Sequence, residues 1–226
     1  MSLKHPDKVG LWAKEWMEWE FNEFIARYNV APTDRVTIGR RNGAKAEAVT
    51  MPWGIKGADG ILRTNARDDN AFKFHQKRLQ DRRCVVFADG YYEWKTVGKE
   101  KHPFHFQLKG EQPFCFAGLY SNSDGFLIFT TKPNEVAAEV HNRMPVILDR
   151  DTSLRWLKEG PMTKDEFEAI AKPWPAEVME SYEVSRYVSR SGNEGPECLA
   201  KPGASVTARA GKLTAEKANG DQLNLF

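Results

Sequence analysis

Residues 84–95, CVVFADGYYEWK, set a single carboxylate, Glu93, among aromatic residues between two strand-like runs. Cys84 to Phe87 is apolar and β-branched, Asp89-Gly90 is a turn dipeptide, and Tyr91 to Trp94 resumes an extended aromatic run. The stretch therefore reads as a β-hairpin or a sharply bent strand. With Tyr92 and Trp94 on one pleated face, Glu93 points to the other. Apolar walls there would raise its pKa towards the range useful to a general acid or base. The alternative is a solvated glutamate on an open strand face.

On either side of this stretch the pattern is of short strands. Arg35 to Gly39 and Ala46 to Met51 flank the turn signal Asn42-Gly43, and Phe104 to Leu108, Phe114 to Leu119 and Gly125 to Thr130 are separated by Lys109-Gly110 and Ser123-Asp124-Gly125. Meandering short strands predict an α+β fold: a curved, barrel-like, largely antiparallel β core with peripheral helices. Among the helices, Val9, Trp12, Trp16 and Trp19, with Phe24 and Ile25 beyond, recur at near-helical spacing, and their indoles are packing residues or, alternatively, a stacking platform for bases. Asp69 to Leu79 reads as a second helix, and Glu135 to Val140 as a short one that delivers His141 to the next strand. Thr152 to Leu157 begins at Asp151 or Thr152, and Thr163 to Ala171 is capped by Thr163. Tyr182 to Val188 is the last ordered piece. Residues 1–200 are expected to form one domain and 201–226 a flexible tail, since Lys201 to Gly220 is rich in Ala, Gly, Lys and Thr without apolar periodicity.

The composition excludes several classes. At 226 residues and 41% hydrophobic content the chain can bury one core, and no apolar run approaches the length of a membrane span. Met1 to Lys8 is polar and lacks the pattern of a secretory signal, so a cytoplasmic protein is expected. Cys84, Cys115 and Cys198 have no paired spacing, which argues against a disulfide framework and a zinc site. His102 and His105 fall on opposite faces of a strand and cannot share a metal. No metal, cofactor or membrane is expected, and the chain is expected to be a monomer. A net charge of +2 does not by itself point to nucleic acid. Lys73, Lys77, Arg78, Arg82 and Arg83, with Arg63 and Arg67 upstream, could neutralise phosphates if they share a face. With Asp68, Asp69 and Asp81 interleaved, they read equally as a solvated mixed-charge helix.

Two further stretches, Thr64-Asn65-Ala66-Arg67 and Val140 to Leu148 (VHNRMPVIL), set Asn65 and His141 against strand-like runs. RYNVAP (Arg27 to Pro32), Trp53-Gly54, TNAR, FADGYYEWK and VHNRMPVIL, in this order, resemble the SOS-response-associated peptidase family across about residues 27–200. The resemblance implies a sensor of abasic sites in single-stranded DNA that forms a covalent DNA–protein crosslink through its N-terminal residue. It also implies autopeptidase removal of the initiator Met. In that family the exposed residue is Cys at position 2: its amine condenses with the aldehyde of an opened abasic sugar and its thiol closes a thiazolidine.

Carried onto this chain, the catalytic set is Ser2, Asn65, Glu93 and His141. Glu93 would move protons, Asn65 would orient the N-terminal residue, and His141 would assist ring opening of the sugar or proton transfer. Arg67 and Arg143 would hold phosphates, with Trp53, Trp94 and Asn29 also on the DNA path. An α-amine titrates near pH 7.7–8.0, so part of it is neutral and nucleophilic at about pH 7.

The chain departs from the family in beginning Met1-Ser2-Leu3-Lys4 rather than Met-Cys-Gly-Arg. Either a native start supplies a Cys that this sequence lacks, or the chain binds without a lasting crosslink. The first is favoured because Asn65, Glu93 and His141 are all present. A serine would close only to an oxazolidine, which hydrolyses more readily. At the other end Gln222, Leu223, Leu225 and Phe226, within QLNLF, resemble the short motif by which bacterial repair proteins bind the replication sliding clamp. Three classes therefore stand: a covalent abasic-site sensor, a non-covalent single-stranded DNA or clamp adaptor, and a thiol hydrolase using Cys84 or Cys115 with His141.

Overall fold

The computed structural model describes residues 1–17, 24–42, 45–122 and 124–205. Its strands are β1 (Arg35–Asn42), β2 (Lys45–Pro52), β3 (Ile55–Lys56), β4 (Leu62–Arg63), β5 (Asn65–Arg67), β6 (Arg83–Ala88), β7 (Tyr91–Val97), β8 (Glu100–Leu108), β9 (Phe114–Ser121), β10 (Gly125–Thr131), β11 (Met144–Pro145), β12 (Ile147–Leu148) and β13 (Met179–Glu183). The helices are α1 (Pro6–Lys14), α2 (Ala71–Phe74), α3 (Gln76–Asp81), α4 (Glu135–Ala138), α5 (Arg150–Trp156) and α6 (Lys164–Ile170). The main sheet runs β11-β10-β9-β6-β1-β2, with β12 on β9 and β5 on β10. Among the described residues, its β5–β10 pairing is parallel and its other strand pairings are antiparallel. A second antiparallel sheet runs β13-β8-β7, and β3 and β4 make a small ribbon. None of the described helices is long and apolar enough to cross a membrane.

The CVVFADGYYEWK stretch takes the bend. β6 lies inside the main sheet between β1 and β9, whereas β7 opens the second sheet by pairing with β8, and Asp89-Gly90 carries the chain from one to the other. β6 is buried along its whole length, which explains why it reads as a continuous apolar run instead of alternating. Val85 and Phe87 pack in the helix-side core with Leu79, Trp156 and Phe167. Cys84, Val86 and Ala88 pack in the core towards the second sheet with Tyr91, Phe106 and Phe114. The result is three layers, helices on the main sheet on the small sheet, and the bend is where the two sheets join.

Several expectations change in detail. The expected helix at 69–79 is three pieces: a 3-10 turn at Asp68–Asn70, then α2 and α3. It breaks at His75, whose backbone (φ −125°, ψ 10°) leaves the helical region where its ring packs edge-on against Phe129 at 6.2 Å. Arg83 does not join a phosphate-binding face. It is buried, and its guanidinium donates to the backbone oxygens of Leu79, Trp156, Lys158 and Gly160, tying α3 and α5 to the sheet. The N-terminal helix ends at Lys14. Trp12 and Trp16 pack edge to face at 5.2 Å against the helix-side core, which makes them packing residues. α5 is capped by Asp149, not Asp151 or Thr152, because the Asp149 carboxylate accepts the Thr152 N–H at 2.8 Å. α6 has the expected Thr163 cap, completed by Glu166 as a capping box. β1 and β2 pair from Arg35↔Pro52 to Asn42↔Lys45. Gly43 in their turn, Trp19, and the Gln222 to Phe226 motif lie outside the described residues.

Candidate functional site

The extended segment at residues 1–4 is docked between RYNVAP and the Asp89-Gly90 bend. Leu3 and Arg27 exchange backbone hydrogen bonds at 2.8 and 2.9 Å, and the Ser2 N–H donates to Gly90 O at 2.9 Å. The α-amine of Met1 then reaches Val30 O at 3.0 Å. Burial pushes this amine down to about 5, against the opposing pull of the Glu93, Asp34 and Glu194 carboxylates. At neutral pH it is a free base, the form that attacks a carbonyl.

Glu93 stands half-buried on β7, opposite Phe104 of β8. Tyr92 and Trp94 pack on one face with Val184 and Val188, while Tyr91 lies on the other face, stacked on Phe106 at 4.8 Å. Burial raises the Glu93 carboxyl above the usual carboxylate range, with His141 and the Met1 amine pulling it back. Burial thus favours the uncharged form of both the amine and the carboxyl, the forms that carbinolamine formation and dehydration use. Glu93 and His141 line one open cleft of about 740 Å³. Trp94 and Ser189 form part of its wall, the Trp94 indole N–H donating to Ser189 Oγ at 3.0 Å. His141, exposed just beyond α4, uses Nδ1 to accept the Arg143 N–H at 3.2 Å, which leaves its Nε2 edge free of that contact.

The remaining expected residues are placed less evenly. Ser2 does not face Glu93. It is buried, with Oγ donating to Asp89 Oδ1 at 3.1 Å and lying 3.1 Å from His105 Nε2. Asn65 is exposed on β5 beside Ile128 of β10 and is not part of the cleft wall that holds Glu93 and His141. Arg67 and Arg143 meet on one edge, since Arg67 pairs in register with Thr130 and Arg143 donates to Thr130 O. Each has its own carboxylate: Arg67 is bidentate on Asp69 at 3.0 and 2.5 Å, and Arg143 binds Asp68 at 2.6 Å. Exposed Arg67 can exchange Asp69 for a phosphate more readily than the largely hidden Arg143 can leave Asp68. Trp53 is half-buried, its N–H on Thr64 O at 3.0 Å. Asn29 is buried, its amide donating to Val188 O at 2.9 Å and Arg190 O at 3.2 Å, so it braces the C-terminal segment.

Two further carboxylates, Asp89 and Glu194, hold the site in place. The Asp89 carboxylate accepts from Ser2 Oγ and from the backbone N–H groups of Lys4 (2.5 Å) and His5 (2.8 Å). Because the Ser2 proton goes to Asp89, His105 Nε2 is the donor to Ser2 Oγ. Burial keeps that imidazole neutral, its pKa well below the usual value. Gly90 permits this approach: a Cβ there would stand 2.7 Å from Ser2 Oγ and closer still to His105 Nε2. Glu194 takes Arg27 Nε at 2.8 Å and the Tyr28 N–H at 2.8 Å, pinning RYNVAP from the far end of the chain. Asp89 reads in sequence as a turn residue, and Glu194 sits in a loop without periodicity, so neither carries a local signal.

The thiol-hydrolase reading fails. Cys84 and Cys115 are fully buried, and burial pushes both thiols far above the range in which a thiolate forms. Cys198 is likewise buried and pushed up to about 12. Among the described residues no group of three His, Cys, Asp or Glu side chains could hold a metal ion.

The chain is similar to known proteins along most of its length. It is 34% identical over 194 residues to "Abasic site processing protein YoqW" of Bacillus subtilis (strain 168), covering 78% of this chain and 87% of that protein. It is 31% identical over 264 residues to "Abasic site processing protein HMCES" of Xenopus tropicalis, covering 92% of this chain and 77% of the relative. A solved structure of a protein from Bacteroides thetaiotaomicron superposes with a TM-score of 0.64 at 25% identity, over 75% of this chain and 82% of that one. A phage-related protein from Bordetella bronchiseptica reaches 0.66 at 23% identity, over 81% and 92%, a likeness of fold. The family model for SOS response associated peptidase (SRAP) matches residues 4–191, and the chain belongs to that family.

Proposed function

We propose that this chain processes abasic sites in single-stranded DNA by covalent capture, with the α-amine at the head of the N-terminal segment as nucleophile. The observation that carries this is the docked N-terminal segment, whose α-amine rests on Val30 O within electrostatic reach of Glu93, burial holding the amine neutral and pushing the Glu93 carboxyl above the usual range. The amine nitrogen adds to the C1′ aldehyde of the ring-opened sugar, and the carbonyl oxygen takes up a proton to give a carbinolamine. Glu93 then protonates the departing hydroxyl, nitrogen loses its remaining proton, and water leaves to give the imine. His141, on the cleft wall, assists sugar opening. In the family-type chain a Cys thiol adds across the imine to close the thiazolidine, and the same groups would act in removal of an initiator Met. Arg67 and Arg143 receive flanking phosphates.

The resemblance expects the reacting amine at residue 2, yet the amine beside Glu93 belongs to Met1. Trimming to Ser2 would draw the amine back by one extended residue, ~3.3 Å. Inserting a Cys between Met1 and Ser2 and removing the Met sets that Cys where Met1 now stands. The test is incubation of the chain as given, and of the Cys-inserted chain, with single-stranded DNA bearing one abasic site, with and without borohydride. The Cys form is expected to give a denaturant-resistant adduct. The chain as given is expected to give only a borohydride-trapped adduct, which peptide mapping assigns to residue 1. No adduct from either chain with borohydride present overturns the proposal in favour of non-covalent binding.

A further inference from the structure

The cleft that holds Glu93 and His141 continues past them along the β7–β8 hairpin, and its outer part consists of charged groups that the capture chemistry does not use. Lys99, Glu100, Lys101 and Arg186 line it. Lys99 lies in the hairpin turn, and Lys101 faces Thr96 across the ladder. Thr96 is three residues along β7 from Glu93, a distance of ~10 Å at 3.4 Å per residue. Glu100 is held by Arg186 at 2.6 Å and lies 3.6 Å from His102 Nε2. Neither Lys99 nor Lys101 has an ion-pair partner among the described residues. The hairpin therefore presents two uncompensated cations to the cleft, and a third, Arg186, neutralised by one exposed carboxylate.

We propose that Lys99 and Lys101 bind phosphates of the DNA strand on one side of the captured nucleotide, and that Arg186 joins them when Glu100 releases it. This rests on the function proposed above and adds a direction to it. Arg67 and Arg143 belong to the β5–β10 ladder of the main sheet and the two lysines to the β7–β8 hairpin of the second sheet, so the two basic groups are assigned opposite arms of the strand. Trp94, on the cleft wall between Glu93 and the lysines, offers an aromatic surface to a base on the same arm. Solvated hairpin lysines are common, but these two line the same cleft as Glu93 and His141.

The test uses the full chain and a single strand carrying a tetrahydrofuran abasic analogue, which binds without reacting. Affinity is followed by fluorescence polarisation across a salt series. Lys99→Ala with Lys101→Ala is expected to flatten the slope of log K against log salt by about 1.4, two phosphates at ~0.7 each for single strands. Strands extended on only one side of the analogue should bind the unmodified chain more tightly for one polarity. The double variant should lose that gain for that polarity alone. Glu100→Gln, which frees Arg186, is expected to tighten binding and steepen the slope, whereas loss of a merely structural ion pair would weaken it or leave it unchanged. An unchanged slope in the double variant, or weaker or unchanged binding in Glu100→Gln, overturns the proposal. These substitutions are on an exposed tip and should leave the melting temperature unaltered. Because the analogue cannot react, failure of adduct formation by the Cys-inserted chain would count against the capture reading alone.

Discussion

Glu93 and the Met1 amine act on each other through opposite shifts. Burial disfavours the charged form of both, so the amine falls to about 5 while the carboxyl rises, and at neutral pH the pair holds fewer charges than its exposed counterparts would. These shifts set the sign of the pH dependence. Below pH 5 the amine is protonated and cannot attack; well above the ordinary carboxylate range Glu93 has lost the proton it gives to the leaving hydroxyl. Imine formation should therefore trace a bell whose acid limb lies near 5. Glu93→Gln removes the alkaline limb, since Gln does not titrate. It also moves the acid limb lower, because the carboxylate was favouring the ammonium form. The rate should fall by roughly 10²–10⁴, the usual worth of a general acid, with little change in affinity for strands carrying the unreactive analogue. Single-turnover trapping with borohydride across pH 4–9 reads both limbs. An unchanged bell would remove Glu93 from the chemistry.

At the scale of elements, the site depends on a four-residue extended segment that has little cohesion of its own. Asp89 supplies it, converting the Asp89-Gly90 bend into an anchor for Ser2, Lys4 and His5. Asp89→Ala should release the segment without unfolding the sheets. Hydrogen exchange at the Leu3 and Arg27 amides, which bond each other's carbonyls, should speed up by at least tenfold, while β6 and β9 amides keep their protection. Capture should slow in parallel. Uniform loss of protection would instead mark Asp89 as a residue of global stability. The sequence carried half of this arrangement. The alternation of Tyr91 to Trp94 placed Glu93 opposite Tyr92 and Trp94, and the run of apolar residues before it placed β6 in a core. It could not tell hairpin from bend, because Asp-Gly serves both, and the difference lies in which distant strands, β9 and β8, take up the two arms. The His75 break in the expected 69–79 helix was hidden for the same reason, since a ring contact with Phe129 overrides local propensity.

For the whole molecule, the two ends of the family-matched region meet at the site. The longer strands and the Thr163 cap were legible locally, whereas the two-residue strands β3, β4, β11 and β12 and the Asp149 cap were not. The docking of residues 186–199 against RYNVAP and Tyr92 was not legible either, being made of contacts roughly 100 or more positions apart. Glu194 takes Arg27 and Tyr28, Asn29 holds Val188 and Arg190, and Cys198 and Leu199 pack with Tyr92 and Val188 behind Glu93. Two truncations separate the role of this segment from that of the tail beyond it. A chain ending at residue 205 keeps all these contacts, and should retain its melting temperature and its adduct yield. By losing Gln222 to Phe226 it should also lose any binding to a sliding clamp, and if the intact chain never binds clamp, that role of the motif ends there. A chain ending at residue 192 loses Glu194 and the Cys198 packing, a destabilisation of roughly 2–4 kcal/mol from charged hydrogen bonds and buried apolar area. Its amine should also lose its fixed place beside Glu93, since the RYNVAP loop that carries Val30 O is no longer pinned. Denaturant unfolding and adduct yield measured on both chains test this. Equal adduct yields at saturating DNA, with only stability reduced in the shorter chain, would show that the C-terminal segment supports the fold without positioning the amine.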